Sequence, residues 1–213
     1  MARLCGARRA LGALFAVIMV FALGPASAQA GSITALTNGC SGQALEQPFL
    51  RWLDPMHYVA VPGGSFEGVS AEWKLAGGAK IVPGNESFYV RGATDSRSLW
   101  LPPGSSATTG PICVGLLYPT LRLFATNSAP LLSTLKVEVL FQDLGGNVRA
   151  LPVGLLIAGT SWRPTLPVVY LTNLTGSLLS KDGTAIVAFR FTPIGRAGYW
   201  RIDDVYVDPF KGR

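Results

Sequence analysis

The chain has 213 residues, 49% of them hydrophobic, with 18 basic and 12 acidic side chains and one histidine. A single histidine, His57, removes most acid–base and nucleophile–base constellations used by enzymes. The lysines and arginines are scattered singly, which excludes a nucleic-acid partner, since phosphate backbones are bound by clustered positive charge.

The N-terminus carries Arg3, Arg8 and Arg9, an apolar run from Leu11 to Leu23, then Ala-Ser-Ala-Gln-Ala. Basic, apolar and small residues in that order read as a secretory signal peptide over residues 1–28, with cleavage after Ala28 or Ala30. The 13 apolar residues fall short of a bilayer span, which needs about 20. An uncleaved anchor is the alternative, and Arg8-Arg9 leaves the export route open. Without residues 1–28 the chain keeps 185 residues, 15 basic against 12 acidic, for a net charge of +3. That length suits one domain, expected over residues 45–213 after a small and polar lead-in over 29–44.

Cys5 leaves with the signal peptide, so an exported chain retains Cys40 and Cys113. An oxidising compartment favours a disulfide between them, which would stabilise the fold by up to about 4 kcal/mol on the chain-entropy model. The alternative is two buried thiols. No CxxC or HxxxH spacing supports a zinc centre.

Beyond the lead-in the elements are short and β-rich. Strands are expected in WKLAGGAKIV, SFYVRG, SLWLP, ICVGLL, TLRLF, TLKVEVLFQD, VRALPVGLLIAG, AIVAFRF and GYWRIDDVYVDPF. In TLKVEVLFQD, Leu135, Val137, Val139 and Phe141 alternate with Lys136, Glu138 and Gln142, which gives one face to a core. Turn pairs such as Gly77-Gly78, Gly145-Gly146 and Asp182-Gly183 separate the runs. VVYLTNLTGSLLS reads equally as a brief helical turn or an apolar loop. Many short strands with this punctuation point to an all-β sandwich or barrel.

The last run, GYWRIDDVYVDPF, places Asp203 and Asp204 among aromatic and β-branched residues, where aspartate is depleted. Ile202 and Val205 are three apart, so if both point inward a bulge must lie at the aspartates. A GxSxG nucleophile elbow is absent. Folding could bring Glu67, Glu72, Asp203 and Asp204 together as paired carboxylates for glycoside hydrolysis.

Two motifs frame the domain: Gly64-Ser65-Phe66-Glu67 followed by Trp73, and Ile202-Asp203-Asp204-Val205. In their order and spacing they resemble the galactose-binding-like jelly rolls found among bacterial carbohydrate-binding modules, with Gly64 where Asn is commoner. The whole chain is also similar to secreted bacterial proteins of uncharacterised role. The resemblance implies a single all-β jelly-roll β-sandwich and a structural calcium held by Glu67 and one of Asp203 or Asp204 with backbone carbonyls. Hydrogen-bonded aspartates paired with Arg201 or Lys74 are the alternative. It further implies a secreted, non-catalytic module for carbohydrate or a cell-surface glycan, with no membrane span in the mature form. Flat rings stack on sugars, so Trp52, Tyr89, Trp100, Trp162 and Tyr170 are the candidate ligand-binding aromatics, whereas Trp73 and Trp200 are expected in the core. The other readings are a structural or adhesive envelope protein without a small ligand, and a glycan hydrolase or lyase.

Overall fold

The computed structural model describes residues 43–68, 72–115, 120–169 and 184–208. The signal segment, Cys40, Tyr170 and most of VVYLTNLTGSLLS lie outside them. The described strands are β1 (Val59–Ala60), β2 (Lys74–Ala76), β3 (Lys80–Pro83), β4 (Arg97–Leu101), β5 (Ser106–Thr108), β6 (Ile112–Gly115) and β7 (Thr120–Asn127). After them come β8 (Ser133–Gln142), β9 (Val148–Leu156), β10 (Arg163–Pro164), β11 (Val168–Val169), β12 (Thr184–Gly195) and β13 (Trp200–Val207). A 3-10 turn, Leu50–Trp52, is the only helical element among the described residues.

The strands form two antiparallel sheets packed as a jelly-roll sandwich. The first runs β10-β7-β13-β4-β3, with β1 also on β13 and β11 also on β7. The second runs β2-β5-β12-β8-β9, with β6 also on β12. Alternation along the strands builds the core between them. Leu121, Leu123 and Ala125 of β7 and Leu99 and Leu101 of β4 face Val137 and Val139 of β8 and Val187, Phe189 and Phe191 of β12, all fully buried. Burying each such side chain contributes about 1.5–3 kcal/mol, which explains why these strands keep strict inward and outward faces. Trp73 and Trp200 also lie in this core, and Trp200 Nε1 donates to Ser133 Oγ at 2.9 Å.

Two expectations change. WKLAGGAKIV is two strands in different sheets, because Gly77 (φ +63) and Gly78 (φ +88) turn the chain from β2 to β3. SFYVRG is a loop: the Glu86 carboxylate accepts the backbone N–H of Phe88 and, at 2.6 Å, of Val90, and Tyr89 takes a left-handed φ of 52°. A carboxylate that satisfies two successive donors gives the backbone an alternative to a sheet ladder.

The outer face of the first sheet carries a second apolar cluster of Phe49, Tyr58, Phe124 and Tyr206. Phe49 stacks on Phe124 at 5.5 Å and meets Tyr58 edge-on at 5.0 Å, so the segment around residues 46–60 is held down on this part of the face. A buried ion pair pins the same segment. Asp54 pairs with Arg122 and accepts the Tyr58 hydroxyl at 2.8 Å. Burial pushes the Tyr58 hydroxyl up to about 12, and its bond to Asp54 adds to that.

Candidate functional site

Two features of the first sheet are built for more than packing. The first is the bulge on β13. Asp203 pairs with Phe124 and Tyr206 with Arg122, so Asp204 and Val205 oppose the single residue Leu123 of β7. Ile202 and Val205 are both buried in the main core, as their three-residue spacing requires. Asp204 absorbs the extra residue with a φ of 46°, a conformation that aspartate tolerates better than most side chains. Gly64 lies against the bulge: a Cβ there would come within 2.9 Å of the Val61 carbonyl oxygen and 3.1 Å of that of Val205. That close approach accounts for glycine in the Gly64-Ser65-Phe66-Glu67 motif.

Both aspartates are fully buried. Asp203 is satisfied: Oδ2 accepts the Glu86 N–H at 3.0 Å and Oδ1 accepts the Asp204 N–H at 2.9 Å. Asp204 is not. The Arg91 backbone N–H points toward its carboxylate and favours the charged form, but neither oxygen has a partner in hydrogen-bond geometry. Burial, helped by the neighbouring Asp204 charge, pushes Asp203 up to about 9. Burial and the charges of Glu86 and Asp95 push Asp204 up to about 7. Asp95, whose Oδ2 is also buried without a partner, is raised by burial and by Glu67. The Arg91 charge acts on both Asp204 and Asp95 but does not offset burial and the neighbouring carboxylates.

Glu67 itself turns to β4. Its carboxylate accepts the backbone N–H groups of Ser96 and, at 2.6 Å, of Arg97, and the Ser96 hydroxyl at 3.2 Å. The expected meeting of Glu67 with Asp203 or Asp204 is therefore replaced by a relay. Glu86 neighbours both aspartates, while Asp95 feels Glu67 and acts in turn on Asp204. Among the described residues no three Asp, Glu, His or Cys side chains converge as a metal set. Neither aspartate pairs with Arg201 or Lys74. Glu86 and Asp95 escaped the sequence reading because both lie in turn-rich segments, and the available signal was a glutamate two residues before Phe88 in Asn-Glu-Ser-Phe.

The second feature is a row across the outer face. Lys80 of β3 pairs with Trp100 of β4, Trp100 with Arg201 of β13, and Arg201 with Thr126 of β7. Beyond Thr126 comes Trp162, one residue before Arg163, which pairs with Ala125. Directly opposed residues share a face, so the two tryptophans stand about 14 Å apart, three strand spacings, with Arg201 between them. The Lys80 ammonium sits 4.9 Å from the Trp100 ring centroid, the Arg201 guanidinium 5.6 Å from that of Trp162, and Tyr199 lies tilted 5.9 Å from Trp100.

The other expected ligand aromatics sit elsewhere. Trp52 packs edge-on against Phe88 and Phe124 at 4.9 and 5.3 Å, within the second apolar cluster. Tyr89 is 53% exposed on the Glu86 loop, and Tyr170 lies outside the described residues. His57 is exposed, and so is Glu72. Cys113 is buried on β6, and Gln43 donates to its carbonyl at 3.3 Å.

No family model matches the chain, and no curated protein does. Solved structures do. The CBM22-1–GH10 modules of endo-1,4-β-D-xylanase 10B from Clostridium thermocellum, complexed with xylohexaose, are 12% identical over 72% of this chain and 28% of that one, with a TM-score of 0.49. The CBM22-1 xylan-binding domain of Paenibacillus barcinonensis Xyn10C is 13% identical over 73% and 95%, with a TM-score of 0.44. TmCBM61, in complex with β-1,4-galactotriose, is 18% identical over 68% and 94%, with a TM-score of 0.36.

Proposed function

We propose that this chain is a secreted, non-catalytic module that binds carbohydrate on the outer face of its first sheet. The observation that carries the reading is the row Trp100, Arg201 and Trp162 with Tyr199 beside it: aromatic surfaces for sugar rings, with a fixed polar group between them for orientation. Against hydrolysis or lysis, Asp203 and Asp204 are fully buried and cannot flank a glycosidic bond. The purified domain should be retarded by polysaccharide in affinity electrophoresis, and Trp100→Ala should remove the retardation. Retardation by no member of a broad glycan panel would favour the adhesive reading instead, for which the exposed Leu155 and Ile157, at and just beyond the end of β9, offer apolar contact.

A structural calcium belongs to the same proposal. The buried carboxylate of Asp204, without a hydrogen-bond partner among the described residues, fits a cation, and Asp95 Oδ2 is a second such oxygen, close enough for its charge to act on Asp204. Asp204, with Asp95 nearby, would hold the ion and draw on backbone carbonyls for the remaining oxygens of a hard cation's shell. Export is supported by the N-terminal basic, apolar and small-residue order. A disulfide between Cys40 and Cys113 is supported by the Gln43–Cys113 contact, which brings the chain three residues after Cys40 to β6.

A further inference from the structure

Resting on the glycan-binding reading, we infer that the ligand is an acidic polysaccharide whose sugars carry carboxylates, a uronate chain. Every ionisable side chain in the row is cationic. Arg201 is held by four hydrogen bonds: Nε donates to Ser98 Oγ at 3.0 Å, and Nη2 donates to Ser98 Oγ at 2.7 Å, to the Pro83 carbonyl at 2.7 Å and to the Gly84 carbonyl at 2.6 Å. Gly84, at φ +102°, is what lets the guanidinium lie so close, since a Cβ there would fall 2.6 Å from Nη2. Nη1 makes no hydrogen bond among the described residues. The chain thus fixes a guanidinium in place and leaves one of its donor pairs for an acceptor, which is costly to arrange unless that acceptor is an anion.

Lys80 repeats the pattern. Its ammonium sits over Trp100 with no carboxylate within salt-bridge distance among the described residues. The one carboxylate near the row on β13, Asp203, is fully buried and committed to Glu86 and Asp204. A neutral sugar would use the indoles and leave these cations idle. A uronate carries its charge on the stacking ring itself, so a ring on Trp100 puts its carboxylate within about one strand spacing, roughly 4.8 Å, of either cation.

The test uses polygalacturonate, the same polymer after reduction of its carboxyl groups, xylan and dextran sulfate, in affinity electrophoresis and titration calorimetry with the purified domain. Polygalacturonate should bind roughly tenfold tighter than its reduced form, and Lys80→Gln should collapse most of that ratio while melting like the wild type. Three outcomes overturn the inference. If the reduced polymer, or xylan free of uronate side groups, binds as tightly as polygalacturonate, the ligand is neutral and the glycan reading survives alone. If dextran sulfate binds as tightly, the face attracts polyanions without regard to the sugar. If no polymer binds and Trp100→Ala changes nothing, this inference and the glycan-binding reading fall together.

Discussion

The Glu86 backbone N–H donates to the Asp203 carboxylate at 3.0 Å, tying the loop before β4 to the last described strand across 117 positions of sequence. The same glutamate closes its own loop on Phe88 and Val90, so one buried contact holds the whole 86–90 segment. Removing the acceptor strands two buried donors, the N–H groups of Glu86 and Asp204. Asp203→Ala should therefore cost about 2 kcal/mol in denaturant unfolding, and Asp203→Asn, which keeps one carbonyl acceptor, less. Amide exchange at Glu86 should quicken in the alanine variant, and an unchanged rate would show that the loop stands without Asp203.

Calcium, if held at Asp204, binds only the folded chain. At 100 times its dissociation constant it should add about 2.7 kcal/mol, so a chelator should lower the melting temperature and added calcium restore it. Asp204→Asn should remove that response. A wild-type melting curve indifferent to both treatments, with no metal in elemental analysis, would leave Asp204 as a strained, unpaired carboxylate.

A pH dependence follows from Glu138 on the outer face of the second sheet. Burial alone would raise its pKa, but Arg190, bonded at 2.8 Å, and Lys136, at 3.1 Å, outweigh burial and lower it from the ordinary glutamate value of 4.5. A lowered folded pKa means that the stabilisation is present above pH 4.5 and is lost as pH falls below it through the folded value. Both cations are 30% exposed, and solvent screening limits the effect to about 1 kcal/mol. Glu138→Gln should flatten this part of the acid-unfolding profile, and an identical profile would assign the slope to other carboxylates.

A disulfide between Cys40 and Cys113 predicts no titratable thiol in denatured protein recovered from an oxidising compartment. Replacing both residues by serine should lower the unfolding midpoint by the equivalent of about 2–4 kcal/mol while the fold persists. Two thiols per chain would refute the bond.

Much of the sandwich was legible because its long strands alternate cleanly. Leu121 and Leu123, Val137 and Val139, and Val187, Phe189 and Phe191 all face the core. The bulge was legible too, since Ile202 and Val205 cannot both be buried without one. SFYVRG was misread because its composition suits a strand, and only the Glu86 side chain, three-dimensionally placed against two amides, overrides that preference. The Lys80–Trp100–Arg201–Thr126 row was invisible for a different reason. It depends on the register of four strands drawn from residues 80 to 201, and register is a property of pairing that no single strand's pattern contains.

The central place of β13 also governs how the molecule can be made. This strand pairs with β1, β4 and β7, so the first sheet has no middle until Trp200–Val207 is available. Pairings so distant along the chain form slowly, because the loops they close must be ordered before any contact rewards them. A chain emerging N-terminus first would hold the facing edges of β4 and β7 unjoined until its last strand is made. Folding would then complete in one late step, when the last strand slots between edges already waiting for it.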